Sequence, residues 1–372
     1  MNIKSFLSHN FINIPGWHTN RKIVVIESDD WGSIRMPSKE VYEELLNRGI
    51  RVDKDPYCRF DSLASEDDLS ALFDVLTSVK DKNGRHAILT ANAVVANPMF
   101  DKIKESGFYE YYYEPFTETL KRYPKHEGVF QMWKQGISAG IFHPQFHGRE
   151  HLNVKKWLQN LRNGDKTTLL AFDYYTFGLS RKVDDKIKNF MGAFNSGFDE
   201  DIKGYGNIIS DGLSLFYSLF GYKSDSFIAT QYTWSPKLEP LLRANGIKYL
   251  QGMVSQRIPM DDDQTFVYKK NNFCGKSSKS GLTYLMRNCF FEPSQKGASA
   301  RECLERVKMA FRWHTPATIS MHRVNVIGAI DEKNRTNNLF QLRWLLNEII
   351  KAYPDVEFMS SDELGAIIAY QS

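Results

Sequence analysis

The sequence predicts an α/β protein built as a distorted (β/α) barrel of seven to eight units. Short apolar runs with strand character alternate with amphipathic helical patterns along most of the chain. The chain has 372 residues and no linker rich in Pro, Gly and Ser divides it. Because barrels commonly occupy about 250 residues plus insertions, we expect one domain over residues 1–372.

The first strand is the clearest element, because in KIVVIESDD, from Lys22 to Asp30, β-branched apolar residues lead into two carboxylates. Apolar runs predict further strands at 87–92, 141–146, 169–172, 227–230, 247–250, 283–290, 317–321 and 356–359. Apolar residues at helical spacing predict helices at 38–48, 66–80, 154–162, 236–244, 300–311 and 339–352. Two segments rich in Gly, Ser, Asn and charge lack a clear strand, and we expect insertions there, at about 178–226 and 252–281.

Composition limits the partners and the location. With 48 Lys and Arg against 44 Asp and Glu, and no long cationic block, nucleic acid is not an expected partner. The four cysteines lack the C-x-x-C spacing of zinc knuckles. The first twenty residues contain no apolar core of a secretory signal, and the longest charge-free apolar stretch, 212–222, is too short for a membrane span. We expect a cytoplasmic location and no membrane span.

Three of the nine histidines, His143, His147 and His151, lie within nine residues. Pro144 is typical of the first position of a helix, so His143 is predicted to cap a helix and His147 to follow one turn later on the same face. Two imidazoles at this spacing suit Zn²⁺ or a similar ion. The alternative is a polar loop whose histidines are only hydrogen bonded.

A carboxylate at a strand end is the expected third ligand, because functional residues of parallel α/β folds gather at the carboxyl ends of strands. Asp29 and Asp30 occupy such an end, although a turn or a helix cap is the alternative for this pair. Adjacent strand residues point in opposite directions, so one carboxylate can bind the ion while the other accepts a proton from water. His322 ends a later predicted strand and can protonate a leaving group, unless its role is structural.

These three pieces, in this order, resemble the polysaccharide deacetylase family, the NodB-homology carbohydrate esterases similar to carbohydrate esterase family 4. The family motifs are a strand ending in Asp-Asp, a His-x-x-x-His metal pair and a late strand ending in His. Residues 227–249 also resemble the stretch around the family's third motif, which leads into Gly-Ile-Lys-Tyr. Residues 346–358 resemble its final helix and strand.

The resemblance implies a barrel of the NodB type and a metal-dependent hydrolase that removes N- or O-acetyl groups from a carbohydrate. It implies Asp29 as the base and His322 as the acid. It further implies that Asp30, His143 and His147 hold one divalent metal ion, usually zinc.

The chain departs from the family at several motif positions. Trp31 stands in place of a Gly, Pro144 in place of a Ser or Thr, and Arg323 in place of a frequent Asp. The Arg of the third motif is absent from residues 229–234, so we expect either that Arg149 or Arg323 substitutes for it or that the base is tuned differently.

Six residues near these motifs are candidates for substrate contact: Trp31, Arg149, His151, Trp234, Glu292 and Arg323. We expect His151 to contact substrate or support the site, because a fourth protein ligand would close the metal site to water. Aromatic rings suit the flat apolar face of a sugar, although simple burial is the commoner role of such rings.

Three other functions stay open from the sequence. The first is another hydrolase on the same fold, acting on a small amide or, with Glu292 opposite Asp29, on a glycosidic bond. The second is a non-catalytic glycan-binding protein, which the missing motif Arg favours. The third is an interaction protein with a structural metal site, because fold alone does not decide function.

Overall fold

The computed structural model describes residues 10–261, 265–270 and 272–371. The strands are numbered β1 to β13 in chain order: Lys22–Trp31, Leu89–Val94, Ala96–Pro98, Tyr113–Pro115, Phe142–Gly148, Ser226–Ile228, Tyr249–Gly252, Ser255–Pro259, Phe266–Lys270, Thr283–Met286, Cys289–Phe290, Ala317–His322 and Val356–Met359. The α-helices lie at Lys39–Asn47, Pro56–Phe60, Glu66–Thr77, Phe100–Glu105, Phe116–Leu120, Val129–Ser138, Val154–Arg162, Lys166–Asp173, Asp199–Phe220, Glu239–Ala244, Ala300–Arg312, Glu332–Ala352 and Ser361–Gln371.

The main sheet is parallel throughout and has the order β10-β7-β6-β5-β2-β1-β12-β11, with β13 beside the first half of β1. It curls into a half-barrel with helices against its outer face, which confirms the predicted distorted (β/α) barrel. Because all these strands run in the same direction, their carboxyl ends meet at one edge. The short pairs β3–β4 and β8–β9 lie outside this sheet and are antiparallel.

Strand β1 shows how the barrel is filled. Its alternate residues Val24 and Ile26 belong to the large core cluster, which includes residues of the surrounding helices. Ile23 and Val25 point to the other face and pack with Leu364 and other residues of the helix Ser361–Gln371. This second face points into the barrel, and it continues after Val25 with Glu27 and Asp29, both buried. The barrel interior is therefore apolar near the start of β1 and polar near its carboxyl end.

Several predicted elements need correction. Residues 169–172 are helical, because the Asp165 side chain accepts the Thr168 N–H and begins the helix Lys166–Asp173. The predicted strand 283–290 divides into β10 and β11 on either side of Arg287 and Asn288. The segment 252–281 contains the β8–β9 hairpin, although its composition gave no clear strand. The insertion boundaries and the single domain stay predictions.

Among the described residues, no helix combines the length and the apolar character needed to cross a bilayer.

Candidate active site

A cavity of about 320 Å³ opens at the carboxyl ends of β1, β5 and β12. It brings together residues that are far apart in the sequence. The site residues that line it are Asp29, Asp30, His147, His151 and His322. The sequence-based expectation that the Asp-Asp strand, the histidine cluster and the late histidine meet at one edge agrees with this placement.

Both carboxylates of the Asp29–Asp30 pair face this cavity, whereas opposite directions were expected. The register between β1 and β2 shifts between Ser28 and Trp31, and Asp30 has a φ of 75°. Asp tolerates this left-handed conformation better than most residues, and the irregular pairing gives the strand one extra residue at its tip. The bulge therefore turns Asp30 onto the same side as Asp29.

Three buried side chains form a candidate metal centre beside the bulge. Asp30 Oδ1 lies 3.2 Å from His151 Nε2 and 3.6 Å from His147 Nε2. One ligand atom from each residue lies within 4.8 Å of the others. His147 Nδ1 donates to the carbonyl oxygen of Ile228 over 2.9 Å, so Nε2 carries the lone pair. That buried nitrogen has no hydrogen-bond partner in the described part of the chain.

This donor set fits a divalent metal ion. One carboxylate and two imidazoles are the ligands of many catalytic zinc sites, and three protein ligands leave a coordination position for water or substrate. Burial lowers the pKa of His151 to about 3, although the nearby Asp30 charge opposes this shift. Burial would raise the pKa of Asp30, but the charge of Arg35 holds it well below its usual value. Metal ligands are needed in these deprotonated forms.

The structure does not place His143 in this group. Residues Phe142–Gly148 form β5 rather than the predicted helix start, and four residues along a strand span ~13 Å, too far for one ion. His143 instead lies 3.1 Å from Asp362 and stacks on the ring of Tyr222. The spacing of four residues recurs between His147 and His151, where Gly148 has a φ of 131° and turns the chain after the strand.

Asp29 is held in place by Arg287. Two guanidinium nitrogens donate to the two carboxylate oxygens, each over 2.7 Å, and Asn92 Nδ2 donates to Oδ1 over 2.8 Å. Burial would raise the pKa of Asp29, but the charge and hydrogen bonds of Arg287 lower it to about 2. Arg287 Nε also donates to Glu27 over 2.5 Å. Asp29 is therefore an oriented, ionised carboxylate at neutral pH.

Neither arginine that was expected to substitute for the missing motif residue contacts Asp29. Arg149 pairs with Glu150 and Asp211, outside the cavity. Arg323 is fully buried and pairs with Asp61. Arg287 takes this position because β10 ends directly before it and parallel pairing brings it across the barrel interior.

His322 lies beside Asp29 in the lining of the cavity. The two residues are register partners on neighbouring strands, and His322 Nε2 lies 3.9 Å from Asp29 Oδ2. Nδ1 of His322 donates to Glu292 over 2.5 Å, and Asn325 donates to the other oxygen of Glu292. Burial opposes the charge on His322, but the carboxylate and hydrogen bond of Glu292 raise its pKa to about 9. The imidazole is therefore protonated at neutral pH.

Other predicted contacts lie elsewhere. Trp31 is fully buried against Trp133 and Phe142, because the bulge returns it to the outer core of the sheet. Trp234 is also buried, and its Nε1 donates to Glu239. Neither ring is among the residues that line the cavity.

Sequence reasoning missed the two arginines, Arg35 and Arg287, that hold the aspartates. Arg35 donates to Asp30 Oδ2 over 2.8 Å and lines the cavity. One signal was present in the sequence, since Glu27 is a charged residue inside an apolar strand and such a residue needs a buried partner. Nothing local identifies which arginine provides that partner.

No protein-family model matches the chain, and no curated protein matches it. Solved structures do match. The chain is similar to 4-alpha-glucanotransferase from Thermococcus litoralis, with a TM-score of 0.45 and 11% identity over 92% of this chain and 40% of that chain. It spans less than half of that enzyme.

Two further solved structures are matched over nearly their whole length. A protein from Mycobacterium smegmatis described as a polysaccharide deacetylase has a TM-score of 0.43 and 11% identity, over 96% of this chain and 93% of that chain. A family 4 carbohydrate esterase from Streptomyces lividans has a TM-score of 0.39 and 9% identity, over 91% and 92%. Polysaccharide deacetylases and carbohydrate esterases are thus among the proteins that this chain is similar to. Likeness at this level concerns the fold and does not extend to residues or activity.

Proposed function

We propose that this protein is a metal-dependent hydrolase that removes acetyl groups from a carbohydrate. The observation that supports this most directly is the convergence of three kinds of group in one cavity. They are the buried set Asp30, His147 and His151, the oriented carboxylate of Asp29 and the imidazolium of His322. Enzymatic hydrolysis of an amide or ester by this route needs a Lewis acid, a base and a proton donor close to the same acyl group.

Asp30, His147 and His151 would hold the ion. When bound, a divalent metal supplies Lewis acidity toward the acyl oxygen and toward water. Arg35 keeps Asp30 ionised and fixes its second oxygen, so Oδ1 stays directed at the two imidazoles. The carbonyl of Ile228 fixes the orientation of His147 in the same way.

Asp29 takes the proton of the attacking water, and His322 supplies a proton to the leaving atom. A new C–O bond forms between the water oxygen and the acyl carbon, and the C–N bond of the amide or the C–O bond of the ester breaks. The leaving nitrogen or oxygen receives the proton of His322 Nε2, so the products are acetate and a free amine or alcohol. The register pairing of the two residues and the 3.9 Å between His322 Nε2 and Asp29 Oδ2 keep the acid and the base side by side, within reach of one substrate in the cavity. Glu292 holds His322 in the protonated form that this step needs.

The lining of the cavity supports a hydroxylated substrate. Besides the charged groups, it presents the side chains of Tyr57, Ser180, Asn189, Gln231 and Tyr232. Hydroxyl and amide groups of this kind match the donors and acceptors of a sugar ring.

Zinc-loaded protein should release acetate from oligomers of N-acetylglucosamine or from acetylated sugars. Asp29→Asn should lower kcat by about 10²–10⁴, the range of general acid–base catalysis. Asp173→Asn is a matched control, since Asp173 is exposed and pairs with exposed Lys104. Circular dichroism checks that both variants are folded. Full activity of Asp29→Asn, or no acetate release by the zinc-loaded protein from a broad panel, would overturn the proposal.

A further inference from the structure

A second cavity, of about 480 Å³, lies beside the proposed catalytic cavity. Arg181 and Lys182 line both cavities, so the two spaces are neighbours along one surface. A substrate whose acetylated residue occupies the first cavity therefore has room to extend into the second.

The second cavity carries an excess of positive charge. Its cationic lining residues are Arg51, Lys54, Arg181, Lys182 and Lys186. Its carboxylates are Asp184 and Asp185. Asp184 also stabilises the turn of the chain here, since it accepts the Lys186 N–H over 2.9 Å. The whole protein has a net charge of only +4, so its positive charge is concentrated at this cavity rather than spread evenly.

The loop that carries these cations is anchored rather than loose. Leu179, Val183 and Ile187 are buried and belong to one apolar cluster with Leu45 and Val52. The Ser180 hydroxyl donates to Asp55, which lines the catalytic cavity. The apolar anchors leave Arg181 and Lys182 on the exposed side of the loop, at the boundary of the two cavities.

Two of the cations are available for a ligand. Arg181 has no ion pair or hydrogen bond with any residue in the described ranges. Lys182 Nζ lies 3.8 Å from Asp55 Oδ1 and its side chain is 59% exposed, which is a weak pairing. Arg35, by contrast, is buried and paired with Asp30. The uncompensated charge is thus at the rim, where a substrate enters.

We propose that the second cavity is a binding subsite for an anionic group, a phosphate or a carboxylate, on the carbohydrate next to the acetylated residue. The proposal deepens the proposed function and rests on it for the identity of the adjoining cavity. Guanidinium and ammonium groups bind both oxyanions. The substrate is then an acidic glycan rather than a neutral one.

Binding is measured on the zinc-loaded full chain by calorimetry at low salt. The probes are an N-acetylglucosamine oligomer, an oligomer of the same length that alternates N-acetylglucosamine with glucuronate, and a phosphorylated N-acetylglucosamine oligomer. One or both charged probes should bind about tenfold more tightly than the neutral one, and about 0.5 M salt should remove the difference. The two charged probes distinguish carboxylate from phosphate.

The double variant Arg181→Gln/Lys182→Gln should lose this preference, so that the charged and the neutral oligomers bind it with similar affinity. Lys223→Gln/Lys296→Gln is the matched control, because both lysines are exposed and lie outside the two cavities. Equal affinity of the wild type for neutral and charged probes, or a preference that survives in the double variant, would overturn the inference.

Acetate release is followed in the same samples to separate the two proposals. Release from the neutral oligomer without preference for a charged one removes the anion subsite and keeps the hydrolase. A charge preference that depends on Arg181 and Lys182, without acetate release from any probe, keeps the subsite and removes the hydrolase.

Discussion

Strand β5 carries a histidine near each end, and the two histidines lie in different surroundings. At the carboxyl end, His147 is 2% exposed and meets Asp30 and a second imidazole, His151. At the amino end, the side chain of His143 is 30% exposed and meets the single carboxylate of Asp362. Both ends place a histidine beside an aspartate, so residue type alone does not distinguish them.

The two ends of β5 differ in the burial of the histidine and in the number of side-chain lone pairs that point toward one place. The amino end satisfies His143 with Asp362, Gln145 and the ring of Tyr222. The carboxyl end leaves the Nε2 of His147 buried and without a hydrogen-bond partner among the residues described. A buried polar atom without a partner is unfavourable unless a ligand supplies one. We therefore expect an ion at the carboxyl end, and the variants below test that contrast.

The largest expected effect is on metal content. His147→Ala removes one of the three proposed ligands and should lower zinc affinity by about 100-fold or more, because loss of a residue that merely supports a ligand already costs about 10–100-fold. His143→Ala should keep stoichiometric zinc. Mass spectrometry of dialysed protein measures both. The opposite result, with zinc lost from His143→Ala and kept in His147→Ala, would restore the ligand pair expected from the sequence.

The next effect concerns the acid at the carboxyl end. Glu292→Gln removes the charge that raises the pKa of His322, so this pKa should fall from about 9 toward its ordinary value or below. Because the protonated imidazole is the proposed acid, activity should be lost at lower pH than in the wild type, and by more than about tenfold near pH 8.

The pH dependence of kcat/KM for acetate release measures this shift. Asp362→Asn, at the amino end, is the control and should leave the profile in place. An unchanged basic limb in Glu292→Gln would remove His322 as the acid.

A third effect tests the turn that brings His151 to His147. Gly148 has a φ of 131°, and a Cβ there would lie 3.2 Å from the Glu150 carbonyl oxygen. Gly148→Ala should lower the free energy of unfolding by about 1–3 kcal/mol and weaken zinc binding. Gly140→Ala, in the turn before β5, has a φ of 67° and open space around its Cβ. It should cost about 1–2 kcal/mol and leave zinc binding unchanged.

Urea unfolding and zinc titration measure the two variants side by side. Equal zinc affinity in both would contradict a role of Gly148 in forming the metal centre.

The smallest effect is at the amino end. Asp362→Asn removes a half-exposed ion pair and a charge in the first turn of the helix Ser361–Gln371, and should cost about 1 kcal/mol or less. Burial would raise the pKa of Asp362, but the hydrogen bond and charge of His143 lower it. This contribution is therefore present above the unfolded value, about 3.9, and is lost as the pH falls below it.

Urea unfolding at neutral and acidic pH should show the difference between Asp362→Asn and the wild type at neutral pH and little difference in acid. A difference that grows in acid would contradict the pairing.

Much of the fold was predictable because β1 and β12 carry strong local patterns. The apolar run before Asp29 and the run before His322 both form strands of the central sheet, and parallel pairing brings their ends together. The helix predicted at His143 was wrong, although Pro144 favours a helix start and is disfavoured within a central strand. Pro144 is tolerated in β5 because it stands opposite Ala91 on β2, whereas β6 pairs with β5 at Phe146, beyond the proline.

The rest of the site depends on contacts that sequence spacing does not encode. Arg287 and Asp29 are 258 positions apart, and Arg35 meets Asp30 only because the chain bends after the strand. The proximity of His151 to His147 likewise depends on the turn at Gly148, which has a φ of 131°. Local periodicity predicts elements, whereas these choices follow from tertiary packing.

The bulge in β1 has a mechanical consequence for the proposed chemistry. The proposed base, Asp29, and the proposed metal ligand, Asp30, are joined by one peptide unit. The distance between their Cα atoms is therefore set by covalent geometry rather than by the motion of separate loops. A backbone movement that shifts Asp30 therefore also shifts Asp29. The position of His322 relative to this pair depends instead on the packing of a separate strand, β12, against β1.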